Sequence, residues 1–186
     1  MQFNIKLLEV GLSNSYFKRL LRTHYTQSKG IVGRRVNFVI FKDNLPVGII
    51  GFASPPLSYQ IAENFLNLPK ELKPSERTKL YLNNNIFRLE IRERNLGTQV
   101  LKEARKKVKE LYKQKYGDDL IGLITFVKPP LTGAVYKADN WRFIGYTKGY
   151  KWNRKNGKWR GTKSDKTNDR KLIFGYKYKE EWLWQQ

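Results

Sequence analysis

Apolar and polar positions along this chain follow a period that switches between two and about 3.6, and each switch marks a new element. Phe3, Ile5, Leu7 and Leu8 make residues 3–8 a short first strand. Tyr16, Phe17, Leu20 and Leu21 then recur at helical spacing, which predicts a helix capped by Ser13 or Ser15 and ending near His24. The polar, glycine-bearing residues 26–35 read as a loop. Two apolar, β-rich runs over 36–41 and 47–53 flank Asp43, Asn44, Leu45 and Pro46, whose turn chemistry makes the pair a hairpin.

Pro55, Pro56, Pro69, Pro74 and an asparagine triplet at 83–85 give residues 55–85 the character of an insertion of loops and short helices. Phe87, Leu89 and Ile91 then alternate with Arg88, Glu90 and Arg92, the period of a strand with one charged face. From Leu96, the positions Val100, Leu101, Ala104, Val108, Leu111 and Tyr112 predict a long amphipathic helix. Residues 120–127 are apolar on both faces, as in a central strand paired in parallel with a neighbour. A short helix over 133–140 and strands over 141–147 and 171–179 complete an α/β pattern: one domain spanning 1–186, with a mixed central sheet flanked by helices.

Charge changes this picture. A formal net charge of +21 exceeds what solubility needs and predicts attraction for polyanions, with DNA as the leading partner. Residues 148–179 hold twelve Lys and Arg against two Asp, nearly half of the excess, and read as a basic C-terminal β-hairpin extension. Lys148, Lys151, Trp152, Arg154, Lys155, Lys158, Trp159 and Arg160 are the expected DNA-binding residues, with Trp141, Trp152 and Trp159 available to stack on bases. The plain alternative is a solvated hairpin face. No cysteine is present, which excludes thiolate metal sites and cysteine nucleophiles, and with His24 the single histidine no metal site is expected. No apolar run is long enough for a membrane span or a secretory signal, so the expectation is a soluble cytoplasmic protein, in the host cytoplasm if viral.

The strand-to-helix corner at Arg92, Arg94, Asn95, Gly97 and Thr98 brings free backbone N–H groups to a helix N-terminus, an arrangement that can hold a pyrophosphate. With the order of elements, this corner resembles the GNAT acyltransferase fold, whose corresponding turn is richer in glycine; Asn95 stands where a glycine is usual. The block Gly133, Tyr136, Lys137, Ala138, Asn140, Trp141, Gly145 and Thr147 is similar to the Mom-like DNA-modification proteins and the related DruA-like group. His24-Tyr25 and Asn84-Asn85 followed by Arg88-Leu89 fit the same group in order. One departure is Lys128, where much of the group carries an acid.

The resemblance implies a GNAT-like enzyme acting on the exocyclic amine of adenine in phage DNA, by a carbamoylmethylation-type reaction that protects against restriction. Acetyl-CoA or another acyl or glycyl donor is the implied cofactor. That amine is a poor nucleophile, because its lone pair is delocalised into the ring, so transfer requires placement and removal of a proton. Tyr136, Glu90 and His24 are the candidate catalytic residues, and each has a plain reading: core packing for Tyr136, pairing with Arg88 or Arg92 for Glu90, a helix-end contact for His24. Two other functions stay open: an acyl-CoA-dependent N-acetyltransferase, and a non-catalytic DNA-binding protein of a defence or counter-defence system.

Overall fold

In a computed structural model of the chain, the described residues are 3–24, 33–155, 158–163 and 170–178, and from 150 to 163 the description is of the backbone alone. Nine strands and five helices follow in the order β1 (Ile5–Glu9), α1 (Ser15–Arg22), β2 (Arg35–Lys42), β3 (Leu45–Ala53), α2 (Gln60–Phe65), α3 (Pro74–Arg77), β4 (Tyr81–Leu89), α4 (Leu96–Tyr116), β5 (Gly122–Val127), α5 (Ala134–Ala138), β6 (Arg142–Tyr146), β7 (Tyr150–Lys155), β8 (Lys158–Lys163) and β9 (Leu172–Lys177). Seven strands form one sheet in the order β1-β2-β3-β4-β5-β9-β6, while β7 and β8 pair antiparallel with each other.

Local chemistry sets the boundaries. The β2–β3 turn places Asp43 and Asn44 at φ of 50° and 65°, a left-handed pair that two small polar residues tolerate and that tight hairpins require. Asn14, rather than Ser13 or Ser15, caps α1, its side chain accepting from the Phe17 N–H at 3.0 Å. Gly117, at φ 77°, closes α4.

Alternation along β2 sends Val36, Phe38 and Ile40 to the sheet face covered by Val100, Leu101, Ala104 and Val108 of α4. Val39 goes to the opposite face, with Phe17 and Leu20 of α1. Each such fully buried side chain contributes roughly 1.5–3 kcal/mol of hydrophobic stabilisation. Residues 55–85 are more than an insertion. Ala62 of α2 and Leu66 at its end cover Tyr81, Ile121 and Ile124, and β4 begins at Tyr81, so the asparagine triplet lies inside a strand. Proline and asparagine mark turns when read locally, but the buried Tyr81 and Leu82 commit this stretch to the sheet.

The site depends on how β4 meets β5. They pair in parallel, as expected for residues 120–127, but only where Tyr81, Leu82 and Asn83 face Gly122, Leu123 and Ile124. Beyond that point β4 follows β3 to Leu89, and β5 follows β9 to Val127. A register shift opposite Gly51 and Phe52 leaves Asn85 as the extra residue of a bulge, which turns β4 away from β5. The two central strands therefore part.

Registers also fix where residues 147–171 leave the sheet. Leu172 faces both Val127 of β5 and Tyr146 of β6, so this connection departs from the end at which β4 and β5 part. The Thr147 N–H donates to the Lys171 carbonyl, and the Lys171 N–H donates to Thr147 Oγ1, each at 2.9 Å, tying the base of the connection shut.

Candidate functional site

A hollow of about 300 Å³ fills the gap between the parted strands, walled by Asn84, Asn85 and Phe87 of β4, Thr125 and Val127 of β5, His24 after α1, and residues 131–136. Asn84 organises it. Its Nδ2 donates to the carbonyls of Gly51 at 2.9 Å and Ile86 at 3.0 Å, which satisfies backbone acceptors at the bulge and fixes the amide so that Oδ1 faces Tyr136. The Tyr136 hydroxyl donates to that oxygen at 2.7 Å, and Thr125 Oγ1 donates to the Asn84 carbonyl at 2.9 Å. Asn85 Oδ1, by contrast, is buried without a hydrogen-bond partner among the described residues. Such an orphan acceptor costs about 1–3 kcal/mol until a donor reaches it.

His24 is 4% exposed. Burial pushes its imidazole below its ordinary pKa of 6.5, with nearby Arg88 adding in the same direction and a hydrogen bond with the Phe87 backbone opposing. The ring is thus neutral at physiological pH. Arg88 is itself anchored, donating to the Leu20 carbonyl at 3.3 Å and to Thr23 Oγ1, so it stabilises the C-terminal end of α1 and holds the segment carrying His24 against β4.

A second, more open hollow of about 670 Å³ runs from Arg92, Glu93, Arg94 and Gly97 along Leu89 and Ile91, and shares Phe87, Leu131 and Val135 with the first. Here Asn95 occupies the left-handed region at φ 65°, so the turn survives without glycine at that position. Gly97 is needed for another reason: a Cβ on it would come within 2.8 Å of Val135 Cγ2, so its absence lets the start of α4 seat against α5. The strand ends at Leu89, not at Arg92, and residues 90–95 form the corner itself.

Comparison with known proteins then decides the family. The family description "Druantia protein DruA" matches residues 2–170. The chain belongs to the DruA family. In structure, this DruA-family chain is similar to an IAA acetyltransferase from Bacillus cereus, with a TM-score of 0.52, 12% identity, and coverage of 94% of this chain and 100% of that one. It is similar to a Bacillus subtilis acetyltransferase in complex with CoA at a TM-score of 0.51 and 9% identity, over 95% and 99% of the two chains. An aminoglycoside acetyltransferase in complex with coenzyme A matches at a TM-score of 0.50 and 9% identity, over 94% and 95%. Identities this low show the GNAT fold and nothing finer. No protein in a search of curated sequences matches the chain.

Of the three catalytic candidates, the DruA-family fold brings His24 and Tyr136 to one hollow and leaves Glu90 out. Glu90 lies just past β4, where it accepts from Tyr16 Oη at 2.6 Å and from Arg19 at 3.0 and 3.2 Å. These hydrogen bonds hold its carboxyl below the usual range, which suits an anchor for α1 and not a base for the hollow. Tyr136 is buried, and its proton is already given to Asn84, so donation to a substrate requires that bond to be exchanged. Arg92, Arg94, Asn95, Gly97 and Thr98 do meet at one corner.

Trp141 is not a stacking platform. It is 3% exposed, donates from Nε1 to Asp139 Oδ2 at 2.9 Å, and packs edge-on against Tyr136 with centroids 5.1 Å apart. Lys148 is exposed, while the side chains of Lys151, Trp152, Arg154, Lys155, Lys158, Trp159 and Arg160, and all of Tyr25, lie outside the described residues. Asp139 gives no signal in the sequence, because its partner is far away along the chain. It is buried and takes a two-pronged ion pair from Arg105 of α4, Nε at 2.7 Å and Nη2 at 2.8 Å, which fixes α5 and so Tyr136. Among the described residues no helix is long and apolar enough to cross a membrane, and no three His, Cys, Asp or Glu side chains cluster as metal ligands.

Proposed function

We propose that this DruA-family protein is a transferase that modifies the exocyclic amine of adenine in DNA, a Mom-like reaction that protects the DNA from restriction. The observation that carries this reading is Asn85, whose buried Oδ1 has no hydrogen-bond partner among the described residues and which lines, together with His24, a hollow at the sheet end from which the basic residues 147–171 depart. An amine presents N–H donors to such an acceptor, and Asn is the side chain best matched to the donor and acceptor edge of adenine. The hollow is walled by amide, hydroxyl, imidazole and apolar groups, a set that receives an uncharged planar base without desolvating an ion.

In this reading Asn85 orients the amine, and neutral His24 accepts its proton as the nitrogen forms its new bond to the donor carbon. Tyr136, held by Asn84, lines the same hollow. The more open hollow fits an acyl-CoA: Arg92, Arg94 and the N-terminus of α4 suit a pyrophosphate, and Phe87, Leu89, Leu131 and Val135 suit the chain leading inward. When bound, such a donor supplies an activated carbon with a thiol leaving group. Since the target amine is unreachable in an intact duplex, the base must be extruded or presented on a single strand.

The test is nucleoside mass spectrometry of plasmid DNA from cells expressing the protein. The expected result is a new adenine adduct, reduced at least about 100-fold by His24→Asn. An unmodified nucleoside profile beside a positive control overturns the proposal. The contiguity of the two hollows also favours a plain acyl-CoA N-acetyltransferase, which predicts acetyl-CoA binding, lost in Gly97→Leu, with adenine left unmodified.

A further inference from the structure

Two large apolar side chains stand exposed at the sheet edge. Phe143 and Tyr146 of edge strand β6 are 41% and 55% exposed, and their rings meet edge-to-face with centroids 5.1 Å apart. Residues three apart on a regular strand point to opposite faces. Here the register shift between Phe143 and Gly145 adds a residue, so Phe143 faces Phe174 and Tyr146 faces Leu172, two residues whose side chains share the α4 and α5 side of the sheet. Ile144 and Gly145 turn to the other face, toward Gly175 and Ile61. The bulge thus gathers two rings onto one surface, where both cost hydrophobic exposure.

Those rings end an aromatic line that starts at the hollow. Tyr136 stacks on Phe174 at 6.1 Å with 18° between the rings, and Phe174 meets Phe143 edge-to-face at 5.8 Å. Cations lie near the exposed end: Lys137 Nζ is 6.0 Å from the Phe174 ring, Lys148 is exposed, and the chain enters the basic connection directly after Tyr146. Exposed rings with lysines nearby, in a protein of charge +21, match a ligand that is anionic along its length and aromatic at intervals.

We propose that Phe143 and Tyr146 form a base-stacking step for single-stranded DNA, receiving bases beside the nucleotide that enters the hollow. A duplex keeps its bases stacked on one another and offers the step only phosphates, so the site discriminates strand state more than sequence. The proposal rests on the nucleic-acid half of the functional reading and requires no turnover. Trp141, the ring nearest in sequence, is sealed in the core and leaves this role to Phe143 and Tyr146.

Fluorescence anisotropy with a labelled single-stranded oligonucleotide and with the same sequence as duplex tests it, on the full chain. Phe143→Ala with Tyr146→Ala should weaken single-strand binding about tenfold or more, change duplex binding less than about threefold, and leave the salt dependence of both unaltered because no phosphate contact is removed. Tyr146→Phe should retain binding, and a 2-aminopurine placed in the strand should be quenched by the wild type and released in the double variant. Unfolding midpoints matched to wild type show that the fold is kept. Equal losses on both DNA forms, or none on either, overturn the stacking step while leaving DNA binding in place. A wild type that binds neither form overturns the step and the functional reading together, and a concentration-dependent oligomer abolished by the double variant makes the rings a protein contact instead.

Discussion

Two buried polar clusters flank α5, and they are built on opposite terms. At its C-terminal end, Asp139 is matched by Arg105 through two short hydrogen bonds and by the Trp141 indole, and the Arg105 guanidinium lies 4.0 Å from the Tyr176 ring centre. Facing the hollow, Asn84, Asn85, Thr125, His24 and Tyr136 are neutral, border open volume and, among the described residues, leave an acceptor on Asn85 unmatched. The first cluster closes on itself; the second does not. Charge pairing thus holds the five-residue helix that carries Tyr136, while the adjoining cavity wall is held by neutral hydrogen bonds alone.

The largest effect should come from breaking the closed cluster. Asp139→Ala leaves the Arg105 cation in a site shaped for its partner, and loss of one member of a buried pair typically costs about 3–5 kcal/mol. Urea unfolding should report a loss of that size. Replacing both partners, Asp139→Leu with Arg105→Met, should recover most of it, since the uncompensated charge is gone. A double variant as unstable as the single one would mean that the ion pair is not what fixes α5.

The open cluster should respond to pH instead. The folded imidazole of His24 titrates below 6.5, so above that pH the group contributes nothing to the pH dependence of stability. As pH falls below about 6.5 the unfolded chain binds a proton that the folded one refuses, and stability drops by at most about 1.4 kcal/mol per pH unit for this one group. Urea midpoints from about pH 7.5 to about pH 5.5 should therefore fall in the wild type and fall less in His24→Asn. Parallel curves would show that His24 is not held neutral by the fold.

Much of this contrast was legible in the sequence, though unevenly. Helix α4 and strands β2, β3 and β5 announce themselves because burial on one face or both imposes a period that any short window reveals. Tyr136 and His24 were legible as candidates through the family resemblance. Asn84 reads locally as loop chemistry because its place in the strand depends on the Gly51 carbonyl, and Asp139 gives no local signal because its partner Arg105 is 34 positions away. Polar residues that serve the fold at a distance look, locally, like turn formers or solvated charges. Trp141 failed for the converse reason: its basic sequence neighbourhood suggested exposure, but the indole N–H finds Asp139 two residues back and the ring is buried.

Glu90 provides the smallest expected effect and the sharpest separation between the anchoring and the reactive parts of the site. Its partner Arg19 is largely exposed, so the pair is screened by water and contributes about 1 kcal/mol or less. Glu90→Gln keeps an acceptor for the Tyr16 hydroxyl while removing the charge, and should lower stability by no more than that. If the proton is taken inside the hollow, adduct yield in this variant should stay within about twofold of wild type, because Glu90 borders neither hollow. A general base contributes about 10²- to 10⁴-fold. A loss on that scale, with stability and fold intact, would move the reactive centre from His24 to the far end of β4 and turn the α1 anchor into the working part of the site.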